Sequence, residues 1–433
     1  MKKSTVFLVF TLLITFVHGQ ENYSQWTKNK LITLNTTASG ANVTGALTKF
    51  PLAVQLTASD SDVFKQALPG GADIRFTDSA GTTRYKHQKE SWDSAGRTAT
   101  FWVLLPTVTG NANNYLRIRW GKTGVADSSS GAAVFDTANR FNGVWHMNAG
   151  TGNETDATIN ANVLTPSTSS PTNGVGAVGP GRVFSGTNQY FVASNPSTVT
   201  GALDIRPGTP HTVSAWVFGS VIPTASNSGV SIVNKGDHQW NLSVYANKWE
   251  TSTGISATGW AYVASTNAPT ANAWHLIVGT WAGGITGNVQ SQLYVDGVLN
   301  STSNQASGNT PKTTYNVFVG ANPDAGNTPV AAPGSPTVTP TNEPRFWNGT
   351  LDEIVVSSTL RSADWIKLSY ETQKKNGAAV TVGPTGNTVS LLHVPNKDGS
   401  RFRNNDMFNV NGRRMDLRMK GLPINTTVLI RRN

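Results

Sequence analysis

Apolar and polar residues alternate at a period of two through most of this chain, in short runs separated by Gly, Asn, Asp, Ser and Pro. Asp73-Ile74-Arg75-Phe76-Thr77 shows the pattern plainly. Ile74 and Phe76 face one way, Arg75 and Thr77 the other, which is a strand with one buried and one wetted face. Leu31-Ile32-Thr33-Leu34, Phe50-Pro51-Leu52-Ala53-Val54-Gln55-Leu56, Phe101-Trp102-Val103-Leu104-Leu105-Pro106 and Tyr115-Leu116-Arg117-Ile118-Arg119-Trp120-Gly121 read as further strands of the same domain. A second set begins at Phe141-Asn142-Gly143-Val144-Trp145-His146-Met147, after a Ser/Gly/Ala-rich stretch, residues 126–137, that suits a short linker. Helix is expected as one short turn from Ser362 to Tyr370, with Ser362 as its N-cap. The Pro-rich residues 323–344 cannot be regular strand, because proline donates nothing to a ladder, and are expected to form a long surface loop.

The two ends of the chain break the pattern. Met1-Lys2-Lys3 precedes an apolar run from Val6 to Val17, and Val17 and Gly19 stand at −3 and −1 of a cleavage site before Gln20. This reads as a secretory signal peptide over residues 1–19, its apolar run too short for a bilayer; the alternative is an uncleaved anchor. No later run is apolar for the roughly 18 residues a span requires, so the mature chain is expected to hold no transmembrane segment. Residues 384–433 carry nine basic residues against three acidic, +6 of the net +10, and Lys2 and Lys3 supply two more. The folded body therefore carries about +2 by the same count, and no basic stripe interleaved with exposed aromatics suggests nucleic acid.

Composition narrows the class. There are 42 glycines, 13 tryptophans and no cysteine, and charged residues make up only 13%. Gly and Asn serve turns that need positive φ, and β-branched and aromatic residues serve strands. The lack of cysteine removes thiolate metal sites and thiol nucleophiles. The expected organisation is a signal at 1–19, a first β domain at 20–138, a second at 139–383 and a basic tail at 384–433. The oligomeric state is not legible in the sequence.

Five motifs then suggest a family. Gly181-Arg182-Val183-Phe184-Ser185-Gly186, His211-Thr212-Val213-Ser214-Ala215-Trp216-Val217, Ala273-Trp274-His275-Leu276-Ile277-Val278-Gly279-Thr280, Leu293-Tyr294-Val295-Asp296-Gly297 and Phe346-Trp347-Asn348-Gly349-Thr350-Leu351-Asp352-Glu353-Ile354-Val355-Val356-Ser357-Ser358 follow in that order. Together they resemble the laminin-G-like family with the concanavalin A-like jelly roll, over about half the chain. The pattern from Trp26 through Ala72-Asp73-Ile74-Arg75-Phe76, Trp92 and Phe101-Trp102-Val103 to Arg119-Trp120-Gly121 resembles a bacterial exported domain of unknown function (family number 2341). The expected fold is thus all-β, an N-terminal β-sandwich followed by a concanavalin A-like jelly-roll sandwich. Met407-Phe408-Asn409-Val410-Asn411-Gly412-Arg413-Arg414, Gly421-Leu422-Pro423 and Val428-Leu429-Ile430-Arg431-Arg432 resemble the C-terminal sorting signal of the type IX secretion route, which implies a secreted or outer-surface location. An ordinary hairpin or basic tail is the alternative.

Candidate chemistry is sparse. Jelly-roll glucanases need two carboxylates on one strand face, in the order Glu-x-Asp-x-x-Glu. Glu21, Glu90, Glu154, Glu250, Glu343, Glu353 and Glu371, the glutamates of the mature chain, never fall into that pattern. Asp352 and Glu353 are adjacent, so a regular strand sends them to opposite faces. No catalytic residue is assigned. The resemblance implies calcium between the loop after the first strand and the Asp-Glu strand, at Asp156 and Asp352, with Glu154, Asn153 or Asn160 as helpers. For sugar, exposed aromatics and hydrogen-bonding side chains are needed. Asp237, His238, Trp249 and Trp260 have that makeup, and Trp249 and Trp260 lie beside turn residues, which argues for exposure. Packing at the rim of a twisted sheet is the alternative for both tryptophans. The expected role is an exported protein binding a polysaccharide or surface glycan, or acting in adhesion, without catalysis. A ligand-free surface scaffold and a polysaccharide hydrolase with an unrecognised site are the alternatives.

Overall fold

Side-chain alternation sets the layers of the molecule. In Lys28–Asn35 the residues Ile32 and Leu34 are buried between partly exposed neighbours, and Asn113–Trp120 beside it buries Leu116, Ile118 and Trp120. The computed structural model describes residues 21–193, 201–206, 208–225, 229–235, 239–255, 260–284, 286–306, 308, 316–322 and 345–387. Within them these two strands form the middle of a five-stranded antiparallel sheet, flanked by Arg75–Asp78 and Arg84–Tyr85 on one side and Val380–Asn387 on the other. A three-stranded sheet of Leu47–Leu56, Thr98–Val108 and His87–Asp93 lies against it. Phe50, Leu52, Val54, Phe101 and Val103 close the core between the two.

The second sandwich pairs an eight-stranded with a seven-stranded sheet. The first runs Thr172–Val175, Pro180–Ser185, Asn348–Ser357, His211–Gly219, Trp274–Trp281, Asn288–Val295, Val298–Ala306, and Asn348–Ser357 also takes Phe141–Trp145. The second runs Trp260–Ala264, Lys248–Gly254, Trp240–Tyr245, Gly229–Lys235, Val317–Val319, Phe191–Ala193, Thr165–Pro166. Trp145, Phe191, Trp240, Leu293 and Trp347 fill the space between them. The expected all-β fold, a β-sandwich followed by a jelly-roll sandwich, is what the chain forms.

The two sandwiches are stacked rather than strung out. Ala53 and Trp102 on the outer side of the three-stranded sheet meet Trp216, Leu276, Val278 and Tyr294 on the outer side of the eight-stranded sheet. Burying one such side chain contributes about 1.5–3 kcal/mol, so the seam is a core in its own right. Val134, Phe135 and Phe141 fill it from one side. The helix Ala363–Gln373 fills it from the other, capped by Ser362, whose side chain accepts from the Trp365 N–H at 3.2 Å. That helix is longer than the expected turn, and its Leu368 reaches into the first domain's core.

Two expectations change here. The boundary at 383/384 falls inside Val380–Asn387, which pairs with Lys28–Asn35 and so belongs to the first domain's sheet. Residues 126–137 are not a loose linker, since Asp127 pairs with Lys89 and Val134 and Phe135 are buried in the seam. Asp60 and Asp62 both pair with the buried Lys30, at 2.8 and 2.9 Å. The signal peptide, the loop at 323–344 and the tail from residue 388 onward lie outside the described residues.

Candidate functional site

One group of charged side chains sits in the seam between the sandwiches. Two β-bulges build it. In His87–Asp93 the pairing shifts between Lys89 and Ser91, leaving Glu90 as the extra residue. In Asn348–Ser357 the partner register jumps from Trp216↔Asp352 to Ser214↔Val355, and Glu353 takes φ 47°. A bulge re-aims side chains. Leu351 and Ile354 therefore both enter the sandwich core, and Asp352 and Glu353 both leave it on the seam side. The expectation that these two acids point to opposite faces fails for that reason.

Glu353 meets His146, the residue after Phe141–Trp145, with Nδ1 at 2.9 Å from Oε1 and 3.0 Å from Oε2. Glu90 Oε2 stands 3.9 Å from the same Nδ1 and accepts the Trp102 indole N–H at 2.7 Å. Glu90 Oε1 meets no donor, although the side chain is wholly buried at 0% exposure. Gln88 Oε1 lies 3.1 Å from His146 Nε2, and the Trp102 ring stacks on the imidazole at 5.6 Å. Burial pushes the Glu90 and Glu353 carboxyls well above the usual range, and Glu353's charge raises Glu90 further. Burial and then Glu353 likewise push Asp352 up, against the pull of the Val178, Glu353 and Ala177 N–H groups. Burial lowers His146, while Glu90 pulls it back. Sequence reasoning missed this cluster because its members come from both domains. Its one local signal was His146, polar in an otherwise apolar strand.

The residues expected to hold calcium do other work. Asp156 accepts from the N–H of Val144 at 3.0 Å, of Thr158 at 2.9 Å and of Asn162 at 3.1 Å, and from Thr158 Oγ1 at 2.9 Å and Asn162 Nδ2 at 2.7 Å. It folds its own loop and ties that loop to the strand. Asp352 accepts from the N–H of Val178 at 2.8 Å and of Glu353 at 2.9 Å. Glu154 is ion-paired with buried Arg182, and the Asn160 amide donates to the Asn142 carbonyl.

The sugar residues fare differently from one another. Trp249 is 3% exposed and packs in the sandwich core against Trp347 and His275, so the expected exposure is overturned. It stands next to a turn but on the inward phase of its strand. Trp260 opens the strand Trp260–Ala264, opposite Gly254. Asp237 and His238 lie outside the described residues.

The outer face of the seven-stranded sheet carries what the tryptophans were expected to supply. Register aligns Ser231, Ser243, Glu250 and Ala264 in one row and Asn234, Asn241, Ser252 and Tyr262 in the next. Within these rows Ser231 Oγ donates to Asn241 Oδ1 at 3.2 Å, Asn234 Nδ2 to Ser231 Oγ at 2.8 Å, and Asn241 Nδ2 to Ser243 Oγ at 3.2 Å. Asn234 Oδ1 is buried without a donor. Burial pushes Glu250 up to about 7, against the pull of Arg345. Tyr262 is 51% exposed, and Tyr245, further along the same face, is 39% exposed. Ser231, Asn234, Ser243 and Ser252 are themselves buried, at 0–6% exposure, so the accessible part of this face is the two tyrosine rings with the half-buried Asn241 and Glu250 between them. Such rings and polar groups can stack a sugar ring and bond its hydroxyls.

Comparison with known proteins fits this architecture. Residues 185–367 match the family model described as the concanavalin A-like lectin/glucanases superfamily, and residues 70–148 match a domain of unknown function (DUF2341). The two matches follow one another in that order along the chain. The DUF2341 match runs past residue 138 and takes in Phe141–Trp145, so it contains both Glu90 and His146, while Glu353 belongs to the concanavalin A-like match. No curated protein matches the chain. Similar solved structures include the binding domain of Paraclostridial Mosquitocidal Protein 1, at 10% identity and TM-score 0.41, covering 54% of this chain and 52% of that one. The botulinum neurotoxin serotype D binding domain is similar at 13% identity and TM-score 0.40, over 54% and 52%. The chain thus spans about half the length of these structures.

Proposed function

We propose that the protein is an exported glycan-binding or adhesion protein, and that its ligand lies on the outer face of the concanavalin A-like domain's seven-stranded sheet. The observation that carries this reading is the pair of polar rows ending at Tyr262, opposite a sandwich face already used for docking the DUF2341 domain. Asn and Ser side chains held by one another are pre-oriented, so less rotamer freedom is lost when they bond hydroxyls. The ligand class is a polysaccharide or surface glycan. Export rests on the signal at residues 1–19, and display at the outer surface on the basic tail.

A binding role is favoured over hydrolysis by where the paired carboxyls are. Glu90 and Glu353 are buried in the seam, their side chains 0% and 3% exposed, beside the stacked rings of Trp102 and His146. A glycan array probed with the mature chain tests the reading, with retention of a defined set of glycans expected. Retention of none would leave a surface scaffold. Release of reducing sugar from plant or microbial polysaccharides would make the protein a hydrolase.

A further inference from the structure

The seam cluster presents an unusual balance of donors and acceptors. Gln88 Oε1 is an acceptor at His146 Nε2, so that nitrogen carries a proton, and in the neutral imidazole Nδ1 presents a lone pair. What Nδ1 faces is Glu353 Oε1 at 2.9 Å, Oε2 at 3.0 Å and Glu90 Oε2 at 3.9 Å, all of them acceptors when ionised. Glu90 Oε1 has no donor in a side chain with no exposure. With a neutral imidazole, lone pairs from three side chains face one another there, with no cationic side chain between them among the described residues.

We propose that Glu90, His146 and Glu353 bind one divalent transition-metal ion of the zinc type, and that this ion fastens the DUF2341 and concanavalin A-like sandwiches together. The ligating atoms of the three lie within 4.8 Å of one another. Around a tetrahedral zinc, with bonds of ~2.0–2.1 Å, ligand atoms stand about 3.3 Å apart. The separations of 2.9, 3.0 and 3.9 Å from Nδ1 bracket that value. Two carboxylates match the ion's two charges.

The surroundings are those of a held ligand set. An imidazole that ligates through one nitrogen characteristically bonds through the other, as His146 does to Gln88. The Trp102 indole fixes Glu90, and the Asn148 amide holds the Glu90 carbonyl at 3.0 Å. A cavity of about 50 Å³ borders Glu353, Trp102 and Phe135, and is lined by neither Glu90 nor His146. Calcium is the poorer occupant, since it takes about 6–8 oxygens and no imidazole. The ligands come from Glu90 in one sandwich and from Glu353 in the other, together with His146, which follows the strand Phe141–Trp145 of the eight-stranded sheet. Binding the ion therefore requires docked domains.

The test uses the mature chain, residues 20–433, stripped with a chelator and dialysed into metal-free buffer. Equilibrium dialysis against zinc, read by elemental analysis, should give one bound ion per chain, and zinc should raise the melting temperature by several degrees. Calcium at the same concentration, the control for Asp156 and Asp352, should not reproduce this. The double variant Glu90→Gln/Glu353→Gln keeps the side-chain shapes and removes both buried charges, and it should bind no zinc and melt identically with and without it. Cobalt(II) added to the unsubstituted chain reads the site without any mutation, through intense visible bands of four-coordinate cobalt. A wild type that retains no zinc, or a double variant that retains as much, overturns the proposal. So does a cobalt spectrum like that of the aqueous ion. In those cases protons, not metal, neutralise the cluster.

Discussion

Glu250 lies in the polar floor of the seven-stranded sheet with burial holding its carboxyl near pH 7. An ordinary glutamate, as in the unfolded chain, titrates at 4.5. Below pH 4.5 both states are protonated and the group costs nothing. As pH rises from 4.5 to about 7 the unfolded chain releases its proton first, so stability falls through that window and stays lower above it. Glu250→Gln escapes the loss. The variant should equal wild type at pH 4 and exceed it by roughly 3 kcal/mol at pH 8, measured by urea denaturation at both values. Equal stability at pH 8 would mean that water reaches the carboxyl. Trp249 shows what single residues conceal in the sequence: a neighbouring turn suggests exposure, but strand phase decides the face, and here it points inward.

At the scale of elements, strands were legible and their irregularities were not. The runs around Ile74 and Phe101 were legible from their apolar pattern and those around Trp216 and Ile277 from the family motifs, although these strands are buried on both faces and keep no strict period of two. Ser362 announced its helix through capping chemistry that is local. The bulges at Glu90 and Glu353 leave no such trace, since an extra residue is defined only by the strand opposite. The strand Val380–Asn387 was hidden for a related reason: its partner lies some 350 residues earlier. That pairing makes a prediction. Ending the chain at Ala379 uncovers the edge of Lys28–Asn35 and removes a ladder whose bonds are each worth ~1 kcal/mol net. Such a chain should melt several degrees lower or fail to accumulate. Ending it at Asn387 should leave the melt of the folded domains unchanged while abolishing delivery to the cell surface. If the two truncations melt alike, the last strand contributes nothing to the sheet.

The described residues form four stacked sheets, and the stacking decides what each face can do. The three-stranded and eight-stranded sheets turn their outer sides to one another, enclosing Trp102, Phe135, Trp216 and the acid–imidazole cluster. The chain expected to be two independent domains thus shares a core, and the seam takes the face of the eight-stranded sheet out of use for ligand. The far sheet, with Asn241, Ser252, Glu250 and Tyr262, remains. The most direct test is a glycan array run in parallel on the mature wild-type chain, on Tyr262→Ala, on Asn241→Ala and on Val175→Asp, an exposed position on the other sheet. The account predicts that Val175→Asp keeps the wild-type pattern, while Tyr262→Ala loses most of the signal, at about 1 kcal/mol or more for a stacked ring, and Asn241→Ala weakens it. Tyr262→Ala and Asn241→Ala binding with undiminished intensity would contradict it.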